Sequence, residues 1–188
     1  MIRLIIGIGN PGKEYEDTYH NVGALALAYL VRTIGAEDGT APLRFKTHKN
    51  LFRYASARGI AFVLPLTFMN ESGAAAKEAL RTFGAKPAEI AVLHDESDLA
   101  VGAYKISAGQ NSAGHKGVQS IMDAVRSKEF TRARIGIRPA KETARKKASE
   151  FVLSKIMPKD ARAFEKVFEE IARTLLGDGN ERSRAGLE

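Results

Sequence analysis

Residues 1–13, "MIRLIIGIGNPGK", decide the fold class. The aliphatic run Ile2 to Ile6 reads as a buried first strand, and it flows into a G-x-G-x-x-G pattern at Gly7, Gly9 and Gly12. In a dinucleotide-binding turn, such glycines let the backbone approach a pyrophosphate at a helix N-terminus. The residues that follow do not fit that use. Pro11 removes a backbone donor from the loop that would hold the phosphates. "KEYEDTYHN" (13–21) is charged where an apolar-faced helix should begin, and "AYLVRTIG" (28–35) offers no acid for a ribose. The glycines are instead expected to shape a tight turn that presents Asn10 at the carboxyl end of strand one.

Beyond this turn, apolar runs alternate with helical periodicity, the pattern of strands interleaved with crossover helices. From Val22 the apolar positions Leu25, Ala26, Tyr29, Leu30 and Ile34 fall on one helical face, with Gly35 as the expected stop. "LFRYASAR" and "IAFVLPL" flank Gly59 as a hairpin. "NESGAAAKEALRTFG" is an Ala-rich helix closed by Gly84, and "EIAVLHDE" a buried strand. "AYKISA" and "RARIGIRP" are two further strands, separated by a helix starting near His115. "PKDARAFEKVFEEIARTLLG" opens with a helix-starting proline and carries Phe164, Val167, Phe168, Ile171 and Leu175 on one stripe. The expected architecture is a single α/β domain over residues 1–188. Its sheet is mixed, mostly parallel and twisted, with helices on its flanks and a loose tail at 178–188.

Composition narrows the chemistry. With 188 residues and 44% hydrophobic content, the chain can bury one core. Neither a membrane-spanning run nor a signal peptide is read at the start, so a cytoplasmic location is expected. The absence of cysteine excludes disulfides, thiolate nucleophiles and Cys-ligated zinc. Lys and Arg number 29 against 22 acids, a net charge of +7, which favours a phosphate-bearing partner. With no Trp and few aromatics, phosphate contacts rather than base stacking would carry the affinity.

Open α/β sheets place ligand sites at the carboxyl ends of their strands. Asn10, Asn70 and Asp95 stand at such ends, His20 lies in the loop that begins at Asn10, and "GQNSAGHKG" (109–117) is a glycine-punctuated loop entering a helix. A histidine, a carboxylate and amides on one crevice fit hydrolysis by an activated water. The imidazole takes the proton, the carboxylate fixes the ring tautomer, and amide N–H groups meet the developing oxyanion. Taken singly, these residues have plainer readings: Asn10 as a turn former, Asn70 as a helix cap, His20 as a surface histidine.

Four blocks, "GIGNPGKEYEDTYHNVG" (7–23), "TFMNESG" (67–73), "HDESDLAVGAYKISAG" (94–109) and "SAGHKGVQSI" (112–121), together resemble the bacterial-type peptidyl-tRNA hydrolase family. They occur in the family's order and spacing, from Ile5 to about Pro139. The resemblance implies a monomer without cofactor or metal that cleaves the ester between a peptide and tRNA. It implies His20 as general base, Asp95 as its orienting partner, and Asn10 and Asn70 as the amides that hold substrate and intermediate. Tyr15, Phe68 and Met69 look like the wall of the peptide and terminal-nucleotide crevice. His115 and Lys116 look like its border, while Lys105 and Arg134 sit where the family grips tRNA phosphates.

Departures fall inside these motifs. Lys116 replaces the family's usual Asn, Tyr19 the Arg that commonly precedes the catalytic histidine, Gln110 and Asn111 two glycines, and Ser107 a lysine. They motivate an alternative, an RNA-binding relative of the same fold that has lost the chemistry, as in some plant organelle splicing factors. A metal-dependent phosphohydrolase using His94 and Asp95 is a third reading, against which His20, His48 and His115 show no ligand spacing.

Overall fold

The computed structural model describes residues 1–37, 43–139 and 151–177. The tail at 178–188 and the basic stretch Lys141, Arg145, Lys146 and Lys147 lie outside the described residues. Seven strands form one sheet in the order β2-β3-β4-β1-β5-β7-β6. These are β1 (Leu4–Gly7), β2 (Lys46–His48), β3 (Phe52–Ala57), β4 (Ile60–Pro65), β5 (Ile90–Ala100), β6 (Tyr104–Ala108) and β7 (Thr131–Arg138). The four central strands β4, β1, β5 and β7 run parallel. The outer pairings β2–β3, β3–β4 and β6–β7 are antiparallel.

Strand β1 is wholly buried because successive side chains serve opposite faces. Leu4 and Ile6 join one apolar cluster with Val63, Val92 and Ile121, whereas Ile5 joins the other with Leu27, Leu93 and Phe164. Helices α1 (Val22–Glu37) and α4 (Pro158–Leu176) cover the second of these faces, and α2 (Ser72–Phe83) and α3 (Lys116–Val125) the first. No helix among the described residues is long and apolar enough to cross a membrane.

Local chemistry sets most boundaries. The β3–β4 hairpin turns through Arg58 and Gly59, both at positive φ (51° and 75°), the conformation that a two-residue loop needs to match strand twist. Gly84 closes α2 at φ 60°. Gly35, in contrast, does not stop α1, which runs on to Glu37; a glycine ends a helix when it turns left-handed, and this one does not. Strand β2 was not foreseen, being three residues long and largely exposed.

Gly73 brings α2 and α3 into backbone contact. A Cβ at this position would lie 2.1 Å from the Ser120 carbonyl oxygen, and the Gly73 N–H donates to Ser120 Oγ at 3.0 Å. Gly73→Ala is therefore expected to force the helices apart and cost about 2 kcal/mol, read as a lower urea midpoint with little change in slope.

Candidate active site

The carboxyl ends of β1, β4 and β5 open onto a crevice of about 710 Å³ lined by Asn10, His20, Met69, Asn70, Asp95 and His115, among others. These side chains come from five segments, Met69 and Asn70 sharing one 3-10 turn, and another short 3-10 turn, Tyr19–Asn21, supplies the pivotal histidine. His20 Nδ1 lies 2.9 Å from Asp95 Oδ1. Asp95 is 4% exposed. Burial alone would raise its carboxyl pKa, but the neighbouring rings of His115 and His20, both hydrogen-bonded to it, outweigh burial and hold the group well below the usual carboxylate range. An ionised carboxylate only accepts, so Nδ1 of His20 carries the proton. Nε2 is left with its lone pair and has no partner among the described residues.

His115 is fixed more fully than a loop residue bordering the crevice would be. Its Nδ1 accepts from the backbone N–H groups of Gly117 and Val118 (3.1 and 3.3 Å), capping α3. The ring proton must then sit on Nε2, which donates to the same Asp95 Oδ1 at 2.8 Å. His94 donates from Nδ1 to the Asp95 carbonyl at 2.7 Å. Complete burial, reinforced by the neighbouring His115, pushes its pKa well down and keeps it neutral. The ligand atoms of His20, Asp95 and His115 lie within 4.8 Å of one another, which by atom type could also suit a cation. Nε2 of His115 has no lone pair to give while Nδ1 caps the helix, so the cluster as built handles protons.

Asn10 is held at three points. Its N–H donates to Asn21 Oδ1 (2.8 Å), its carbonyl accepts from Asn21 Nδ2 (2.9 Å), and its side-chain Oδ1 accepts from Met69 N–H (2.8 Å). The last bond fixes the amide orientation, leaving Nδ2 as the end without a partner among the described residues. Asn70 follows Met69 in a 3-10 turn and lines the crevice without capping α2 through its side chain. Asn21, in the same loop as His20, is not a crevice-lining residue but the clamp that holds the Asn10 backbone, a role that its position alone does not reveal.

The remaining candidates lie further out. Tyr15 and Phe68 pack edge-to-face with centroids 6.3 Å apart, outside the crevice lining, and Phe68 is 51% exposed. Exposed Leu153, next to Val152, adds to the crevice wall, a contribution not anticipated. Lys116 lines both the crevice and an adjoining polar recess of about 330 Å³ that also contains Asn70, Ser112 and Asp123. Lys105 and Arg134 are direct cross-strand neighbours on β6 and β7. Lys105 is exposed, but Arg134 is engaged by Glu96 at 2.8 and 2.9 Å and reaches Gln110 Oε1 at 3.3 Å.

A histidine held by a buried carboxylate, facing amides at the carboxyl edge of a parallel sheet, is a group of side chains suited to a hydrolase. The relatives narrow the class. The chain belongs to the peptidyl-tRNA hydrolase family, whose model matches residues 4–179. It is 35% identical to the peptidyl-tRNA hydrolase of Persephonella marina, over 94% of this chain and 90% of that one. Its identity to the Nocardia farcinica enzyme is 37%, over 80% and 76% of the two chains. Among solved structures, the peptidyl-tRNA hydrolase of Acinetobacter baumannii superposes with a TM-score of 0.79 at 27% identity, covering 91% of this chain and 85% of that one.

Because its pKa is depressed on folding, Asp95 stabilises the fold above its unfolded pKa of about 3.9, and that contribution is lost as the pH falls further. Asp95→Asn should therefore be less stable than the parent at neutral pH. The gap should narrow toward roughly pH 3 in guanidinium unfolding.

Proposed function

We propose that the chain hydrolyses the ester joining a peptide to tRNA, with His20 drawing a proton from the attacking water. The observation that carries this reading is the His20–Asp95 bond at 2.9 Å, which leaves Nε2 available at a crevice that Asn10 and Asn70 also line. In the proposed sequence, the water's proton passes to Nε2 and its oxygen attacks the ester carbonyl. The growing positive charge on the ring is met by Asp95. The carbonyl oxygen, becoming an oxyanion, receives amide N–H groups from Asn10 and Asn70. The ribose oxygen then leaves and takes a proton back from the imidazolium. An alcohol leaves more readily than an amine, so one base with oxyanion donors suffices. No covalent acyl-enzyme and no metal is invoked. The protein acts as a monomer.

The peptide lies against Met69 and the Tyr15–Phe68 pair, with His115 and Lys116 bordering the crevice. Lys105, beside Arg134 on the sheet edge, meets the tRNA phosphates. Membership of the family supports the substrate, and the net charge of +7 supports a polyanionic partner.

The decisive experiment incubates the protein with peptidyl-tRNA and with free RNA, with and without a chelator. Ester release insensitive to chelation is expected; binding without release would select the RNA-binding alternative, and chelator-sensitive turnover the phosphohydrolase. Asn70→Ala should lower turnover roughly 10²- to 10³-fold, the usual cost of one oxyanion donor, and His20→Ala more. Lys105→Ala should weaken tRNA-linked substrates and flatten the salt dependence of binding, while leaving small ester substrates nearly unaffected.

A further inference from the structure

The 3-10 turn that carries His20 has little holding it from within. It is three residues long, has no side-chain cap, and is entered through Asp17 at φ 58°. Its stability comes from outside. On one side the segment 151–157 runs antiparallel to it: Val152 and Ser154 carbonyls accept from His20 N–H (2.8 Å) and Tyr19 N–H (3.2 Å). Ile156 N–H donates to the Asp17 carbonyl at 2.7 Å, and Thr18 bridges Lys155. Lys155 Nζ also donates to the Glu16 carbonyl. On the other side the Tyr19 ring, 3% exposed, packs edge-on against Phe164 of α4, and its hydroxyl donates to Asp160 Oδ2 at 2.6 Å.

The geometry points to Tyr19 as a positioning residue for the reaction: its hydrogen bond to Asp160 ties the turn to the N-terminus of α4 and so sets where His20 meets Asp95 and where Asn21 meets Asn10. This rests on the reading of His20 as the base. Three features make the tie stiff. Asp160 is in the first turn of a 19-residue helix, where a carboxylate is favoured by the exposed N–H groups. That helix is anchored by Phe164 and Phe168 in the core. A phenol-to-carboxylate bond this short is charge-assisted and strong, and both partners are buried, so neither has water as a substitute. Consistently, burial and the Asp160 hydrogen bond push the Tyr19 hydroxyl pKa up to about 12. Tyr19 stands one residue from His20 and two from Asn21. The segment paired with the turn supplies Val152 and Leu153 to the crevice wall, so the buried bond and this backbone pairing together locate the base, the amide holder and the apolar wall.

The test compares Tyr19→Phe, Asp160→Asn and the double variant with His20→Ala and the parent chain. Three quantities are read: kcat and KM on peptidyl-tRNA, the thermal midpoint, and the proton-NMR signal of the His20 Nδ1–H. Tyr19→Phe should lower kcat roughly tenfold through a small displacement of the base, leave KM within about twofold, and speed exchange of the His20 ring proton. Removing the stranded carboxylate in Tyr19→Phe/Asp160→Asn should recover the thermal midpoint without recovering kcat. Recovery of both would make the pair a folding contact only and overturn the proposal. So would an unchanged kcat and ring-proton signal in Tyr19→Phe. Full turnover by His20→Ala would sink the assigned base instead, and the ring-proton signal would still decide whether Tyr19 positions that ring.

Discussion

A single oxygen atom, Oδ1 of Asp95, organises this molecule's crevice. It accepts from His20 and from His115, rings that approach from the loop after β1 and from the cap of α3. A buried carboxylate is costly unless hydrogen bonds replace the water it has lost. Here two imidazoles supply them through ring N–H groups. Their tautomers follow without further assumption, because one ring is pinned by the helix it caps and both face an acceptor that cannot donate. The freedom remaining in the cluster is the lone pair on Nε2 of His20, where a base would need it.

Much of the fold is legible in the sequence wherever the cause is local. The alternation of β1 between two apolar clusters, the Arg58–Gly59 turn and the left-handed Gly84 all follow from neighbouring residues. The ends of β1 and β4 could be located, and with them Asn10 and Asn70, because parallel sheets put polar loops at one edge. Asp95 was expected at a strand end, but β5 runs on to Ala100 and carries it two residues past its last pairing with β1. The second contact of His115 and the grip of Asn21 on Asn10 were not legible, because each depends on the rotation of a side chain within a turn. Nor was the Tyr19–Asp160 bond, whose partners are 141 positions apart. Periodicity says that α4 has an apolar stripe; it does not say which loop comes to rest against its first turn.

The loop at 109–115 shows how a chain can depart from a family pattern and keep the site. Gln110 and Asn111 have fewer backbone conformations open to them than glycines would. Two arginines of β7 hold them from below: Arg132 donates to the Asn111 carbonyl at 3.0 Å, and Arg134 to Gln110 Oε1 at 3.3 Å. Arg132 is itself buried, and desolvation lowers its pKa, but an arginine remains charged through such a shift. The arginines thus restrict the loop that leads to His115, where a glycine run would rely on conformational freedom.

Strand β6 lies at the rim of the sheet, with β7 on one side and, among the described residues, no strand on the other. Such a rim presents unpaired peptide groups to which a second molecule's strand could add. Lys105, the second residue of β6, is exposed there. A like-charged rim on another copy would meet electrostatic repulsion before backbone pairing could begin, so this exposed cation guards against self-association. Solubility at high concentration thereby depends in part on one ammonium group.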